Sequence, residues 1–135
     1  MMGGTRLVPQ DKFDLAAVER ATAAGYPAIA PIVADLLTWI QDMNWPVAPN
    51  VARLLASVGD PIVPHLRVVL AGSDSIWKYS SLGLIERMPV QIARQLIPDI
   101  TRLADAPTRD EISEEVDSRA CELLSRLVAS DSGAP

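Results

Sequence analysis

Apolar residues recur along this chain at intervals of three and four positions. In one stretch they are Ile62, Val63, Leu66, Val69 and Leu70. That spacing gathers apolar side chains on one face of an α-helix, whereas a half-buried strand would alternate apolar and polar residues. We therefore predict an all-α fold.

Glycine and proline residues divide this pattern into separate helices. Gly25 ends a first helix predicted over about 14–24, because glycine readily adopts the left-handed conformation that terminates helices. Thr108 and Glu111 have the spacing of a capping box, which predicts a long last helix. The apolar stripe of that helix is Ile112, Val116, Ala120, Leu123, Leu124 and Leu127. The prolines near the predicted starts of other helices are Pro27, Pro46, Pro61 and Pro89.

Three prolines and two Asp-x-x-Trp sequences recur with nearly the same period. Pro31, Pro64 and Pro98 are 33 and 34 residues apart, and the sequences at 42–45 and 74–77 are 32 residues apart. A period of this length, with two helices in each unit, is typical of an α-solenoid. A proline inside each unit would bend its helix at the same place.

We accordingly predict a short right-handed α-solenoid of the HEAT or armadillo type, with the first helix as an N-terminal cap. About three helix pairs cover roughly 27–58, 61–88 and 90–129. Residues 1–129 form one helical-repeat domain, and the small, polar residues 130–135 form a flexible tail.

Composition agrees with one folded domain and limits the chemistry. The 135 residues are 49% hydrophobic and 21% charged, which excludes a disordered chain. The single cysteine cannot form an internal disulfide, and with the single histidine it cannot supply the usual ligands of a zinc site. The sequence contains no phosphate-binding glycine loop and no catalytic serine motif. We therefore expect no cofactor and no metal.

The charge distribution bears on partners and location. The net charge is −5, and residues 105–135 hold eight acidic against three basic residues. A nucleic-acid binder needs a cationic surface, so we expect no nucleic-acid partner. No apolar run approaches the roughly 20 residues of a membrane span, and the N-terminus lacks the apolar stretch of a signal peptide. We expect a cytoplasmic protein that does not contact a membrane.

Three stretches of the sequence carry a resemblance to a known family. They are LVPQDKFD at 7–14, LLTWIQDMNWPVA at 36–48 and IWKY at 76–79. From about Leu7 to Leu124 the chain resembles the bacterial family called domain of unknown function 5071. The resemblance implies a compact helical domain akin to HEAT or armadillo repeats, and it brings no activity with it.

Residues 39–46 concentrate two of the three tryptophans with amide and acidic side chains. If the units stack, Trp45 and Trp77 lie at equivalent corners of neighbouring units, and we predict that this edge binds a protein or peptide. Tryptophan is favoured at interfaces because it buries a large area and keeps one N–H group to donate. Alternatively, the indoles fill gaps between layers while Asp42 and Asp74 cap the following helices. The predicted partner-binding residues are Trp39, Asp42, Asn44, Trp45, Asp74, Trp77 and Lys78.

Other polar residues have simpler interpretations. Asp11 and Lys12 precede the first helix and Asp14 lies at its start, and a salt bridge or a helix cap is a more frequent role for such residues than catalysis. His65 borders an apolar stripe without a second histidine and is interpreted as a half-buried surface residue. Cys121 lies beside the apolar face of the last helix and is interpreted as a small hydrophobic residue.

The sequence leaves three classes of function open. The first is a non-enzymatic protein- or peptide-binding or regulatory module of the kind that masks a partner, as immunity proteins do, because no acid–base–nucleophile set is assembled. The second is an enzyme or nucleobase-binding protein in which Trp39, Asp42 and Trp45 cradle a flipped base. The third is a self-assembling structural protein, since a terminal apolar face favours association. We expect a monomer or a weak homodimer.

Overall fold

The regular secondary structure of this chain is helical throughout residues 6–132, the part that the computed structural model describes. No strand occurs in that range, which confirms the predicted all-α fold. The α-helices are α1 (Leu15–Ala24), α2 (Val33–Leu37), α3 (Ala48–Ala56), α4 (Val63–Ala71), α5 (Ser75–Glu86), α6 (Val90–Ala93), α7 (Ile97–Asp105), α8 (Arg109–Ser113) and α9 (Val116–Ser132). Short 3-10 turns occupy Ala30–Ile32, Thr38–Ile40, Asp60–Ile62 and Arg94–Leu96.

Helix α1 begins and ends where its capping residues place it. The Asp14 carboxylate accepts a hydrogen bond from the Ala17 amide at 3.2 Å, which satisfies one of the free N–H groups of the first turn. Gly25 ends the helix with φ +66°, a conformation that costs glycine little, and its N–H donates to the Ala21 carbonyl. The buried face of α1 contains Val18 and Ala21.

Helices α2, α4 and α7 each follow directly on a 3-10 turn. Pro31 and Pro61 lie inside the first two of these turns, thirty residues apart, whereas Pro64 and Pro98 are the second residues of α4 and α7. The prolines therefore start the helices and do not bend them, because the first turn has no intrahelical acceptor for the amide that proline lacks. The predicted mid-helix bend is wrong for this reason, and Pro31 corresponds to Pro61 and not to Pro64.

Corresponding positions of these three helices point into one core. Leu36 in α2, Leu66 in α4 and Ile100 in α7 have no exposed surface. They belong to a single hydrophobic cluster that extends from Val18 in α1 to Leu127 in α9. Burial of this face accounts for the three- and four-residue spacing of the sequence.

The C-terminal segment differs from the long helix that the capping box suggests. The capping box itself is confirmed, since the Thr108 hydroxyl accepts from the Glu111 amide and the Glu111 carboxylate accepts from the Thr108 amide. Helix α8 then ends at Ser113, and Glu115 adopts φ +63° before α9 begins. This break turns Ile112 outward, 52% exposed, although the stripe residues of α9 are buried apart from the partly buried Leu124.

The last predicted helix pair, 90–129, therefore contains four α-helical segments, α6 to α9. Helix α9 continues to Ser132, so the backbone of the first three residues of the predicted tail is helical. Residues 133–135 of that tail lie outside the described residues, as do residues 1–5.

Among the helices that the structure describes, no single one has both the length and the hydropathy to cross a membrane. Helix α3 and residues Asp60–Ala71 have the length and apolar composition of a membrane span only when they are taken together, and they are bent by 120° relative to each other. Both segments contribute fully buried side chains to the core, among them Leu55 and Leu66.

Candidate interaction site

Two of the predicted partner-binding tryptophans pack against each other. The ring centroids of Trp39 and Trp45 are 5.6 Å apart with an interplanar angle of 61°, an edge-to-face contact. Both side chains are half-buried and pack against the core. The ring contact leaves only part of each indole facing solvent.

The third tryptophan links two helices. Trp77 is in the first turn of α5, where its amide donates to the Asp74 carboxylate at 3.0 Å. Its indole Nε1 donates to the carbonyl of Leu37 at 3.1 Å, so the side chain connects α5 to the end of α2. Asp74 is thus a helix cap, as the alternative interpretation of the sequence expects.

Asp42 has a different role from Asp74 despite the shared Asp-x-x-Trp sequence. Its carboxylate accepts from the Asn44 amide at 2.8 Å and so closes a turn. Helix α3 begins only at Ala48, with Val47 as its N-cap residue. The two sequences therefore do not form equivalent corners in hydrogen bonding, because one closes a turn and the other caps a helix.

Lys78 is buried and lies apart from this turn. Its ammonium donates to the Glu111 carboxylate at 2.6 Å, and both side chains are at most 4% exposed. Arg102 binds the same carboxylate through two hydrogen bonds of 2.8 Å. The paired hydrogen bonds from Arg102, followed by the one from Lys78, hold the pKa of Glu111 at about 2 against an ordinary 4.5.

Sequence reasoning missed this buried ion pair. The capping-box spacing identifies Glu111 only as a local partner of Thr108, whereas Lys78 is 33 residues away. Next to the pair a cleft of about 500 Å³ is lined by hydroxyl and charged groups, with the Ser75 hydroxyl donating to Asp110 at 2.6 Å. Lys78 and Arg102 are both bound to Glu111, and Asp110 accepts from Ser75, so these groups connect α5, α7 and α8 and are already satisfied within the fold.

On another side of α5 lies a concave surface that we call the acidic groove. It has a volume of about 490 Å³. Three segments line it: the turn at 42–44, helix α5, and the junction of α8 and α9. The lining residues are Asp42, Met43, Asn44, Ile76, Tyr79, Ser80, Glu114, Glu115 and Arg119.

Three large apolar side chains converge in the acidic groove and remain in contact with solvent. Met43 is 37%, Ile76 53% and Tyr79 38% exposed. Helix α5 is apolar on more than one side, yet it buries Lys78, Ser80 and Ser81 and presents Ile76 outward. Exposed apolar residues that gather in a concavity mark an interaction site more than scattered ones do.

Arg119 forms a fixed part of the groove. Its guanidinium binds the Glu86 carboxylate through two hydrogen bonds of 3.1 Å and lies 4.4 Å from the centroid of the Tyr79 ring. The hydrogen bonds to Glu86 raise the pKa of Arg119 above its ordinary value. A Cβ atom at Gly83 would lie 2.9 Å from Arg119 Nη2, so a larger residue there would push the guanidinium aside. Arg119 thus holds one face of Tyr79, and its charge is neutralised by Glu86.

The carboxylates of the groove are not neutralised in this way. The exposed side chains of Glu114 and Glu115 make no hydrogen bond or ion pair with any residue of the described chain. Asp42 accepts one backbone hydrogen bond and is also without a cationic partner there. Three carboxylates therefore line the groove beside its apolar side chains, and none of them has an ion-pair partner among the described residues.

Other candidate chemistry lies outside the groove. Among the side chains that the structure describes, over residues 6–129, no three His, Cys, Asp or Glu residues are grouped so that they could hold a metal ion. His65 is half-buried in α4, and Cys121 is exposed on α9.

A second cleft, of about 550 Å³, lies between α1 and α3 and is lined in part by Val18 and Leu54. Both of these apolar residues are already buried by the fold, whereas Ile76 is more than half exposed. The two clefts therefore differ in kind, because the acidic groove presents exposed apolar side chains beside carboxylates, whereas the cleft between α1 and α3 is lined by apolar side chains that belong to the core.

The groove is built from the same stretches that carry the sequence resemblance, 36–48 and 76–79, together with the junction near residue 115. No curated protein sequence matches the chain. The model of the family described as Domain of unknown function (DUF5071) matches residues 7–124, which is most of the chain. The chain belongs to the DUF5071 family.

Proposed function

We propose that this chain is a non-enzymatic module that binds a partner protein or peptide through the acidic groove. The observation that carries the proposal is the convergence of Met43, Ile76 and Tyr79, all exposed, in one concavity. Concave surfaces with apolar walls and a few polar groups are the usual form of binding sites. A regulatory role, in which the chain masks a functional surface of its partner, is compatible with the same groove.

The helical arrangement that presents the groove is, in this proposal, a short right-handed solenoid of the HEAT type. The recurrence of a 3-10 turn followed by an α-helix at α2, α4 and α7 supports it. Leu36, Leu66 and Ile100 are fully buried at the same position of these three helices, which supports it as well. In an experimental structure, the three turn–helix units should superpose by a constant rotation and translation, and a different operator for each unit would refute the repeat.

The charge of the groove favours a protein over a nucleic acid as partner. Phosphate groups would face Asp42, Glu114 and Glu115, and the one arginine of the groove is bound to Glu86. Tight nucleic-acid binding requires cationic side chains that displace counter-ions. The nucleobase interpretation of Trp39, Asp42 and Trp45 is disfavoured by the same carboxylates.

The proposed function is tested by site-specific photo-crosslinking followed by reconstitution. A photo-reactive amino acid at position 76 should capture a partner that the same group at position 68 does not. Val68 is the matched control, because it is apolar and 73% exposed on α4 but does not line the groove.

The captured partner, identified by mass spectrometry and purified, should bind the wild type and Val68→Glu but not Ile76→Glu. Equal binding to all three proteins would contradict the proposal, provided that their circular dichroism spectra agree. A purified chain that forms stable oligomers, each burying Ile76 at its own interface, would favour the self-assembling alternative instead.

A further inference from the structure

We propose that the acidic groove recognises a segment in which one large apolar side chain is flanked on both sides by lysine or arginine. The inference rests on the proposed function and specifies the chemistry of the partner. It follows from the order in which apolar and acidic residues line the groove.

The apolar part of the groove is its middle. Ile76 and Tyr79 are one turn apart on the same face of α5. Helix α5 meets α2 and the turn that follows it through Trp77, whose indole donates to Leu37, and it meets α9 through Tyr79, against which Arg119 lies. Residues two positions apart on a helix point about 200° apart, so these neighbours lie on opposite flanks of α5. The residues that adjoin those two neighbours, 42–44 and 114–115, therefore form opposite walls, with α5 between them.

Both walls carry unneutralised carboxylates. Asp42 lies on the wall formed by the turn, and Glu114 and Glu115 lie on the wall formed by the junction of α8 and α9. Arg119 does not compensate them, because its guanidinium is bound to Glu86. A partner segment across α5 thus meets a carboxylate, then an apolar surface, then two carboxylates, which is complementary to a basic–apolar–basic order.

The size and rigidity of the groove agree with a short segment. A volume of about 490 Å³ accommodates a few side chains but not a domain. Tyr79 is held in place by Arg119, and Asp42 is held by its hydrogen bond to Asn44. Groups that are already ordered lose little conformational freedom when a partner binds.

The test uses a bead-displayed library of random 12-residue peptides as the probe. Peptides that bind the wild type should be enriched in a leucine, isoleucine or aromatic residue with lysine or arginine on both sides. The double variant Glu114→Gln/Glu115→Gln should keep the apolar enrichment and lose the basic enrichment on one side. Both glutamates are exposed and make no side-chain bond in the described chain, so the fold tolerates the change.

The control variant has the same change in net charge elsewhere. Glu19→Gln/Asp35→Asn removes two exposed carboxylates on α1 and α2 that do not line the groove, and it should enrich the same peptides as the wild type. For the best peptide, the dissociation constant should rise about tenfold between low and high salt in the wild type, because exposed charge pairs are screened. Glu114→Gln/Glu115→Gln should show a clearly weaker salt dependence.

The outcomes separate the inference from the function on which it rests. Enrichment of apolar residues without basic neighbours, or with acidic ones, overturns the inference and leaves the proposed function standing. A pool that is the same for the wild type and for Ile76→Glu overturns both. Salt-independent binding of a basic peptide also overturns the inference, and this measurement needs no variant.

Discussion

Glu111 and Lys78 form an ion pair that is almost fully withdrawn from water, with side chains 1% and 4% exposed. A buried pair need not stabilise a protein compared with apolar residues, but removal of one partner leaves the other charge without compensation. The Lys78 ammonium has Glu111 as its carboxylate partner, whereas Glu111 also binds Arg102.

We predict that Glu111→Gln lowers the free energy of unfolding by about 3 kcal/mol. Glutamine retains an oxygen for the Thr108 amide, so the loss reports the charge and not the helix cap. As a matched control, Arg67→Gln removes the exposed pair with Asp99, 3.1 Å long, and should cost less than about 1 kcal/mol. Urea denaturation of the three proteins measures both values, and equal losses would contradict the assignment.

The depressed pKa of Glu111 predicts a pH dependence with a definite sign. Because the folded-state pKa is about 2 and the ordinary value is 4.5, the contribution is complete above pH 4.5 and is lost as the pH falls toward 2. The stability difference between the wild type and Glu111→Gln should therefore shrink by about 2 kcal/mol between pH 7 and pH 3. Urea titrations at the two pH values test this, and a difference that grows in acid would refute it.

Gly83 illustrates two opposed effects at one residue. Gly83→Ala gains up to about 1 kcal/mol of helix propensity but displaces Arg119 from Glu86 and Tyr79, a partly exposed contact of similar magnitude. We predict a net change in unfolding free energy within about 1 kcal/mol, together with altered NMR shifts of the Tyr79 ring.

The background variant Arg119→Gln separates these two effects. There Gly83→Ala should stabilise the protein by roughly 0.5–1 kcal/mol, because only the propensity gain remains. A destabilisation in that background would show that a contact other than the one with Arg119 requires glycine.

Single-residue roles could be predicted where the partner is local. The caps at Asp74 and at Thr108 follow from spacings of three residues. The partners of Lys78 and of the Trp77 indole are 33 and 40 residues away, and one sequence contains no signal for such pairs. Lys78 is consequently placed by the sequence on a binding edge and by the structure in a buried pair.

Among the elements, the junction of α8 and α9 is a break that the sequence does not indicate. Helix breaks usually occur at glycine or proline, but here the residue with positive φ is Glu115. A side chain at φ near +60° costs an L-residue roughly 1–2 kcal/mol. The packing of α9 against α5 and α7 maintains this conformation.

We predict that Glu115→Gly raises the free energy of unfolding by about 0.5–1 kcal/mol, because glycine adopts φ +63° without strain. Glu114→Gly is the neighbouring control at φ −94°. It should lower stability, because glycine relieves no strain there and only raises the conformational entropy of the unfolded chain. Thermal unfolding of both variants measures the difference. The opposite order would mean that the strain at Glu115 is relieved elsewhere.

The helices themselves are predictable because the spacing of apolar residues reflects which face is buried. Prolines mark the starts of α2, α4 and α7. That Pro31 corresponds to Pro61, and not to Pro64, becomes clear only from the 3-10 turn that contains it. The outward position of Ile76 depends on how much of α5 its neighbours cover, which spacing alone does not specify.

For the whole molecule, the continuous hydrophobic cluster predicts cooperative unfolding. The three tryptophans lie between residues 39 and 77, so fluorescence reports the first part of the chain, whereas far-UV circular dichroism reports all helices. Because one cluster extends from α1 to α9, the two signals should have the same midpoint in urea. An earlier midpoint by fluorescence would show that the N-terminal helices unfold independently.

The acidic groove could be predicted only in part at this scale. The stretch 39–46 stands out in the sequence by its two tryptophans, and two of its predicted partner-binding residues, Asp42 and Asn44, line the groove. In the sequence, Glu114 and Glu115 of the opposite wall cannot be distinguished from the acidic residues of an ordinary solvent-exposed helix. The two walls lie beside the same helix, α5, only in the folded chain.

The ion pair of Lys78 with Glu111 also limits how the chain can be shortened. A fragment that ends at Asp105 would retain the ammonium group of α5 and lose its carboxylate, which α8 supplies. Dissection of the domain into smaller autonomous pieces should therefore fail at this boundary, even though it falls between two helices.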